Sequence, residues 1–259
     1  MKSRRILLAR GYILHTQPYR DTSRILEVFT REQGRLSVFA RGVRGPKAKL
    51  ASLLQPFQPL LISFTARGDA AQLVSAEGDA ARHPHSNPGS LTGGLPPAAL
   101  LAGFYLNELL LKLTTRHDPN AGLFDGYQYT LVALTAGQAQ EPALRHFELR
   151  LLEEVGYGLD LTRTVAGSPV DPEGVYHFRP ADGLFTARAD QAGVVRGSSL
   201  LKLVAGTLRE GPDLSDARKV LSMALEHCLE GRPIATRAVA RACVGTALVP
   251  ESRPQSLKT

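Results

Sequence analysis

Short apolar runs separated by turn residues fill the first third of the chain. "ILLARGYILHTQ" and "TSRILEVFT" are split by "PYRD", "GRLSVFAR" follows "REQG", and "FQPLLISFTA" and "AQLVSAEG" flank "RGD". Each run has strand length and ends in turn formers, so the pattern predicts five strands. Five short strands in about 80 residues fit a small closed barrel with the strand count of the OB-fold. The third run alternates: Leu36, Val38 and Ala40 share one face, and Arg35, Ser37, Phe39 and Arg41 share the other. The first set suits a core. The second sets an aromatic ring between guanidiniums, which suits stacking on an unpaired base and pairing with phosphate. The competing reading makes Phe39 a core residue fringed by cations.

The pattern then changes period. "HPHSNPGSLTGGLPP" (83–97) is rich in Pro, Gly, Ser and Asn and reads as the end of a linker spanning 81–97. The remainder, 98–259, reads as a helical domain. "PPAALLAGFYLNELLLKLTT" is apolar nearly all round, as a central bundle helix is. "LFDGYQYTLVALTA" places Leu123, Tyr127, Leu131 and Leu134 on one face. "EPALRHFELRLLEEVGYG" carries the stripe Leu144, Phe147, Leu151, Leu152 and Val155, with Pro142 near its start and Gly156 at its stop. Residues 160–192 lose helical period around "GSPVDPEG" and "PADG" turns. "SSLLKLVAGTL" and "LSDARKVLSMALEHCLEG" read as two more helices, each with a Ser near its N-cap, and "TRAVARACV" as a short last one.

Charge adds a direction to this picture. Residues 1–80 hold 13 Lys and Arg against 6 Asp and Glu, and residues 81–259 hold 18 against 18, so the whole net charge of +7 lies in the first third. Such asymmetry fits one domain that meets a polyanion, and charge alone fits solvated surface cations equally well. Its densest part is "VFARGVRGPKAKLASLLQPF". There Arg41, Arg44, Lys47 and Lys49 stand within nine residues, spaced by Gly42, Gly45 and Pro46, between the third and fourth strands. A loop of this kind can follow an irregular phosphate path without a fixed register.

Other chemistries find little support. The loop lacks the G-x-x-x-x-G-K-[ST] spacing of nucleotide hydrolysis, and no GxGxxG, GxSxG or HExxH occurs. Glu153 and Glu154 are consecutive on a helix and point apart. The chain is therefore not expected to be an enzyme. Cys228 and Cys243 form no CxxC and read as buried helical thiols; His83 and His85 have no third ligand nearby. Neither metal nor cofactor is expected. No run is long enough to span a bilayer, and no cleavage site follows the basic start, so a cytoplasmic location is expected.

Several motifs together resemble the RecO family of bacterial recombination mediators. They are "YRDTSRILEVFT", "GRLSVFARGVR" continuing to "LASLLQPFQPLLISF", "LVSAEG", "FYLNELLLKL" and "EPALRHFELRLLEEVGYGLDL", with looser similarity as far as "GRPIATRAV". The resemblance implies an α+β protein. It would have an N-terminal five-stranded OB-fold barrel (1–80), a helical bundle domain, and a finger-like insertion at 160–195. It also implies binding of single- and double-stranded DNA and annealing of complementary strands coated with single-stranded DNA-binding protein (SSB). Help to RecR in loading RecA, and a nucleoid-associated life in the cytoplasm, are further implications. The runner-up is a general OB-fold nucleic-acid-binding module, RNA included, with no recombination role; a pure interaction scaffold is a third class. Many members of the family carry a four-cysteine zinc finger after "GYGLDL". Here "TRTVAGSPVDPEGVYHFRPADGLFTA" has no cysteine. This is the pattern of a zinc-less branch, in which Tyr176, Phe178 and Phe185 would pack where the metal would be.

On these grounds the expected DNA contacts are Arg35, Arg41, Arg44, Lys47 and Lys49, with Arg24 and Arg31 as lesser ones and Phe39 as the stacking ring. The acidic SSB tail ends in an apolar residue, so its receptor needs an apolar pocket with a cation at the rim. Arg145, matched by resemblance to a basic family position, is the first expectation, with Lys112, Leu110, Leu113 and Leu144 beside it. The alternative makes Arg145 a solvated helix cation and the leucines plain core.

Overall fold

The computed structural model describes residues 4–43, 50–67, 70–79, 95–137, 140–209 and 211–240. Strands β1 (Arg4–Tyr19), β2 (Ser23–Thr30), β3 (Gly34–Ala40), β4 (Leu60–Arg67) and β5 (Ala70–Gly78) close a barrel in the order β1-β2-β3-β5-β4. This is the five-strand OB architecture that the apolar runs predict. The length of β1 is what closes the barrel: its first half pairs with β4 from Arg4 to Gly11 and its second with β2 from Gly11 to Tyr19. Irregularities after Ile6 and Ile13 bend it between the two partners. The alternation in β3 is realised, with buried Leu36, Val38 and Ala40 separated by half-buried Arg35, Ser37 and Phe39. Ile13, Leu26, Val28, Ile62 and Phe64 complete the interior.

The helical domain contains α1 (Leu100–Leu113), α2 (Ala121–Thr135), α3 (Gln140–Glu154), α4 (Gly197–Val204) and α5 (Pro212–Cys228), and residues 235–240 begin a further helix. The predicted stripe of α2 is its buried face: Leu123, Tyr127, Leu131 and Leu134 all lie in the core. Asn120 starts this helix by accepting a hydrogen bond from the Leu123 amide at 2.8 Å. Phe147, Leu151 and Leu152 bury the α3 stripe, and Gly156 ends it at a φ of +86°. The two serine caps do not form. α5 begins at Pro212, whose fixed φ and missing N–H suit a first turn, and the Ser199 hydroxyl of α4 lies 2.8 Å from carboxylate oxygens of both Asp213 and Asp216, to either of which it can donate its one proton. Cys228 is buried, as its helical pattern predicts; Cys243, His83 and His85 lie outside the described residues.

Barrel and bundle share one core. Tyr12, Leu14 and Phe29 point out of the barrel into the helices, where the Phe29 and Tyr12 rings lie 5.5 and 5.6 Å from the Phe124 ring. The α1–α2 connection adds to the edge of β3. Arg116 forms a parallel bridge with Arg35, and the His117 amide donates to the Arg35 carbonyl at 2.9 Å. Gly34 permits this approach: a Cβ there would stand 2.3 Å from the Asp118 carbonyl oxygen. Its φ of +67° also favours glycine.

Between α3 and α4, β6 (Val175–Arg179), β7 (Gly183–Thr186) and β8 (Val195–Arg196) form a small sheet in the order β7-β6-β8. Tyr176 and Phe178 are buried in the helical core. Phe185 differs from the expectation: it stays half-buried, with the Arg179 guanidinium 4.6 Å from its ring centre. The donor set does not fit a zinc ion, since His177 is the segment's one imidazole and no cysteine is present.

Candidate nucleic-acid interface

The register of the barrel aligns Gln17, Ile25, Phe39 and Gln72 across four strands. This row lies on the outer face, so Phe39 belongs to the surface and not to the barrel core. At the end of β1 the Tyr19 ring meets Phe39 edge to face, with centroids 5.1 Å apart and planes at 89°. Arg20 lies 5.3 Å from the Tyr19 centroid. Arg24 stands half-buried opposite Pro18 and the inward-facing Ala40, so its register sets it on the other face of the sheet from Phe39, while Arg41 is exposed just beyond β3. The result is an aromatic pair edged by guanidiniums, chemistry that stacks a base and neutralises phosphate. Tyr19 and Arg20 escaped the sequence reading because "PYRD" signals a turn and carries no sign of its neighbour across the sheet.

Two of the expected cations face elsewhere. Arg35 is held by Glu27 at 3.1 Å and by the Thr114 hydroxyl and carbonyl at 3.2 and 2.7 Å. Arg31 makes a bidentate pair with Asp125 of α2, at 3.0 and 2.9 Å. Both join barrel to bundle, and the reason is position: they flank Phe29, which is under the helices. Arg44, Lys47 and Lys49 lie outside the described residues.

Of the five residues expected at the SSB tail, the three leucines serve the helical core. Leu110 is wholly buried, and Leu113 and Leu144 pack against the core. Lys112 pairs with Glu108 at 3.1 Å and donates to the Pro233 carbonyl. Arg145 is neither a rim cation nor a solvated one: it is 6% exposed, and its guanidinium lies 2.9 Å from the wholly buried Glu148. Glu148 also accepts from the Tyr105 hydroxyl at 2.6 Å, and Arg237 donates to that same hydroxyl at 3.0 Å. Burial holds the Glu148 carboxyl above its ordinary range, opposed by Arg145, Tyr105 and Arg237. Burial and the neighbouring carboxylate likewise push the Tyr105 hydroxyl up. This network ties α1, α3 and the last described segment together.

Among the described residues, no three His, Cys, Asp or Glu side chains are grouped to hold a metal, and burial pushes the Cys228 thiol up to about 11, far from a reactive thiolate. No described helix is long and apolar enough to cross a membrane.

Fold and surface thus define a protein in which an OB-type barrel with a cation-edged aromatic face is fused to a helical domain. Comparison with known proteins gives the family. The model described as recombination protein O N terminal matches residues 3–78, and that described as recombination protein O C terminal matches 97–238. The chain is 39% identical over 238 residues to the DNA repair protein RecO of Methylococcus capsulatus, covering 92% of this chain and 94% of the relative. It is 39% identical to that of Laribacter hongkongensis, covering 89% and 92%, and 35% identical to that of Burkholderia pseudomallei, covering 91% and 83%. The chain belongs to the RecO family of DNA repair proteins.

Proposed function

We propose that this protein is a recombination mediator. It binds DNA on the barrel, anneals complementary strands coated with SSB, and helps RecR to load RecA. The observation that carries the DNA reading is the Tyr19–Phe39 pair, with Arg20 beside Tyr19 and exposed Arg41 two residues beyond Phe39. By sequence Arg44, Lys47 and Lys49 continue the line of charge from Arg41. Annealing needs no fuel, because base pairing is downhill. The protein need only neutralise phosphate repulsion and hold bases unpaired until they meet. The roles with SSB, RecR and RecA are supported by membership in the family. Arg145 is an interior side chain, which weighs against it as the rim cation for the SSB tail.

The test is the annealing rate of complementary strands saturated with SSB, with this protein added and no nucleotide present. Fast annealing is expected. Annealing of naked strands alone would leave the DNA face standing and remove the SSB role. No annealing of either would reject the reading.

A further inference from the structure

A cleft opens between the barrel and α2. On α2, Asp125, Gln128, Tyr129 and Val132 follow helical spacing and form a second stripe beside the buried one. This stripe faces Arg10 of β1 and Arg31, the residue after β2, across an open cleft of about 470 Å³, within the span of roughly 300–1,000 Å³ usual for small-ligand sites. Tyr129 is 64% exposed and Val132 39%. A helix face turned toward a barrel wall would be expected to bury such side chains against it. Here they line a gap instead.

From this geometry we infer that the barrel–α2 cleft is a second seat for single-stranded DNA, taking one nucleotide with its base on Tyr129 and its phosphate on Arg10. Asp125 does not oppose this, because Arg31 neutralises it through two hydrogen bonds. That pair and the Arg31 amide, which donates to the Arg10 carbonyl at 3.1 Å, also fix the walls, so the seat is formed before the ligand arrives. Exposed Arg4 and Arg5 stand on the same half of β1 as Arg10 and favour the approach of a polyanion. A second copy of this chain is disfavoured as occupant by the net charge of +7. β1 itself links the two seats: Arg10 and Tyr19 are nine residues apart on it, at most about 30 Å of extended strand. One DNA strand of several nucleotides can therefore engage both, within the roughly 4–16 nucleotides that a single OB domain covers.

The inference rests on the DNA-binding reading above, and the experiment separates their failures. Fluorescence anisotropy of an oligo-dT of about 20 nucleotides would be measured on the full chain and on Tyr129→Ala, Tyr129→Phe, Arg10→Ala and Tyr19→Ala. Thermal unfolding serves as the control for fold. Tyr129→Ala should weaken binding about tenfold and Tyr129→Phe should restore it, because stacking needs the ring and not the hydroxyl. Arg10→Ala should lower the salt slope by about one. Normal binding by the Tyr129 and Arg10 variants, with weakened binding by Tyr19→Ala, would overturn the cleft and leave the barrel face intact. If the unaltered chain fails to bind oligo-dT, both fall. If the cleft variants keep oligo-dT but lose an acidic peptide ending in Phe, the cleft is a protein seat and the inference is overturned.

Discussion

Arg35 of β3 donates a hydrogen bond of 2.7 Å to the carbonyl of Thr114 at the end of α1, 79 residues away. With Glu27 on its other side, it serves the junction between barrel and bundle. Arg35→Ala should therefore cost about 1.5–3 kcal/mol in urea unfolding, the range for hydrogen bonds made by charged groups. Its effect on DNA affinity should be small once the protein is folded. Arg41→Ala should do the reverse, changing stability by less than about 0.5 kcal/mol while weakening DNA binding. Equal stability losses in the two variants would reject this division of labour.

The Tyr19–Phe39 contact carries a second expectation. Either ring replaced by Ala should reduce affinity for single-stranded DNA about fivefold to tenfold, and Tyr19→Phe should bind normally. Both side chains lie on the outer face, so unfolding should change little. The assignment fails if affinity for single strands is unmoved in the double variant.

What could be read from sequence follows the range of the interactions. The alternation of β3 and the stripes of α2 and α3 are local, so periodicity alone placed Leu36, Val38, Tyr127 and Leu151 inside. Phe39 was ambiguous because alternation assigns a face, whereas the position of the helices decides which outer residues remain open. Phe29 and Phe39 share the outer face of the barrel; α2 covers only the first. Arg31, Arg35 and Arg145 look alike in sequence to Arg41. For Arg31 and Arg35 the partners Asp125 and Thr114 come from distant segments, and nothing in the local pattern announces them; Arg145 pairs with Glu148 one turn along α3, and what its local pattern does not announce is that the pair is buried.

Arg145 and Glu148 show what the buried pair does. The network holds two polar atoms without hydrogen bonds, Arg145 Nε and Glu148 Oε2. Removing one charge strands the other. Arg145→Met should destabilise the fold by about 3–5 kcal/mol, and the double variant Arg145→Met, Glu148→Leu should recover part of that loss. A double-mutant cycle by urea unfolding would measure the coupling; additive losses would mean that the two side chains act independently. Any loss of SSB-tail binding in Arg145→Met then has to be compared with the double variant. Recovery there would assign the effect to folding and not to direct contact.

The C-terminal segment supplies a pH dependence. Glu108 accepts from the amides of Ala235 and Thr236 at 2.7 and 2.9 Å and from the Thr236 hydroxyl at 2.8 Å, capping the helix that starts there. Burial alone would raise its carboxyl, but these donors and Lys112 outweigh burial and hold it below its ordinary value. A carboxyl depressed in the folded state contributes stability above its unfolded pKa of about 4.3, and that contribution is lost as pH falls through the lower folded value. Asp213 shifts the same way, lowered first by Lys202 and Ser199. Glu108→Gln should thus lower the melting temperature by a few degrees at pH 7 (about 1 kcal/mol for a lost charged cap). The gap from the unaltered chain should narrow as the pH is lowered below about 4. Melting curves from pH 7 down to about 3 would follow this; a gap that stays constant would show that the Glu108 charge does not hold the segment, and a gap that widens would reverse the sign of the linkage.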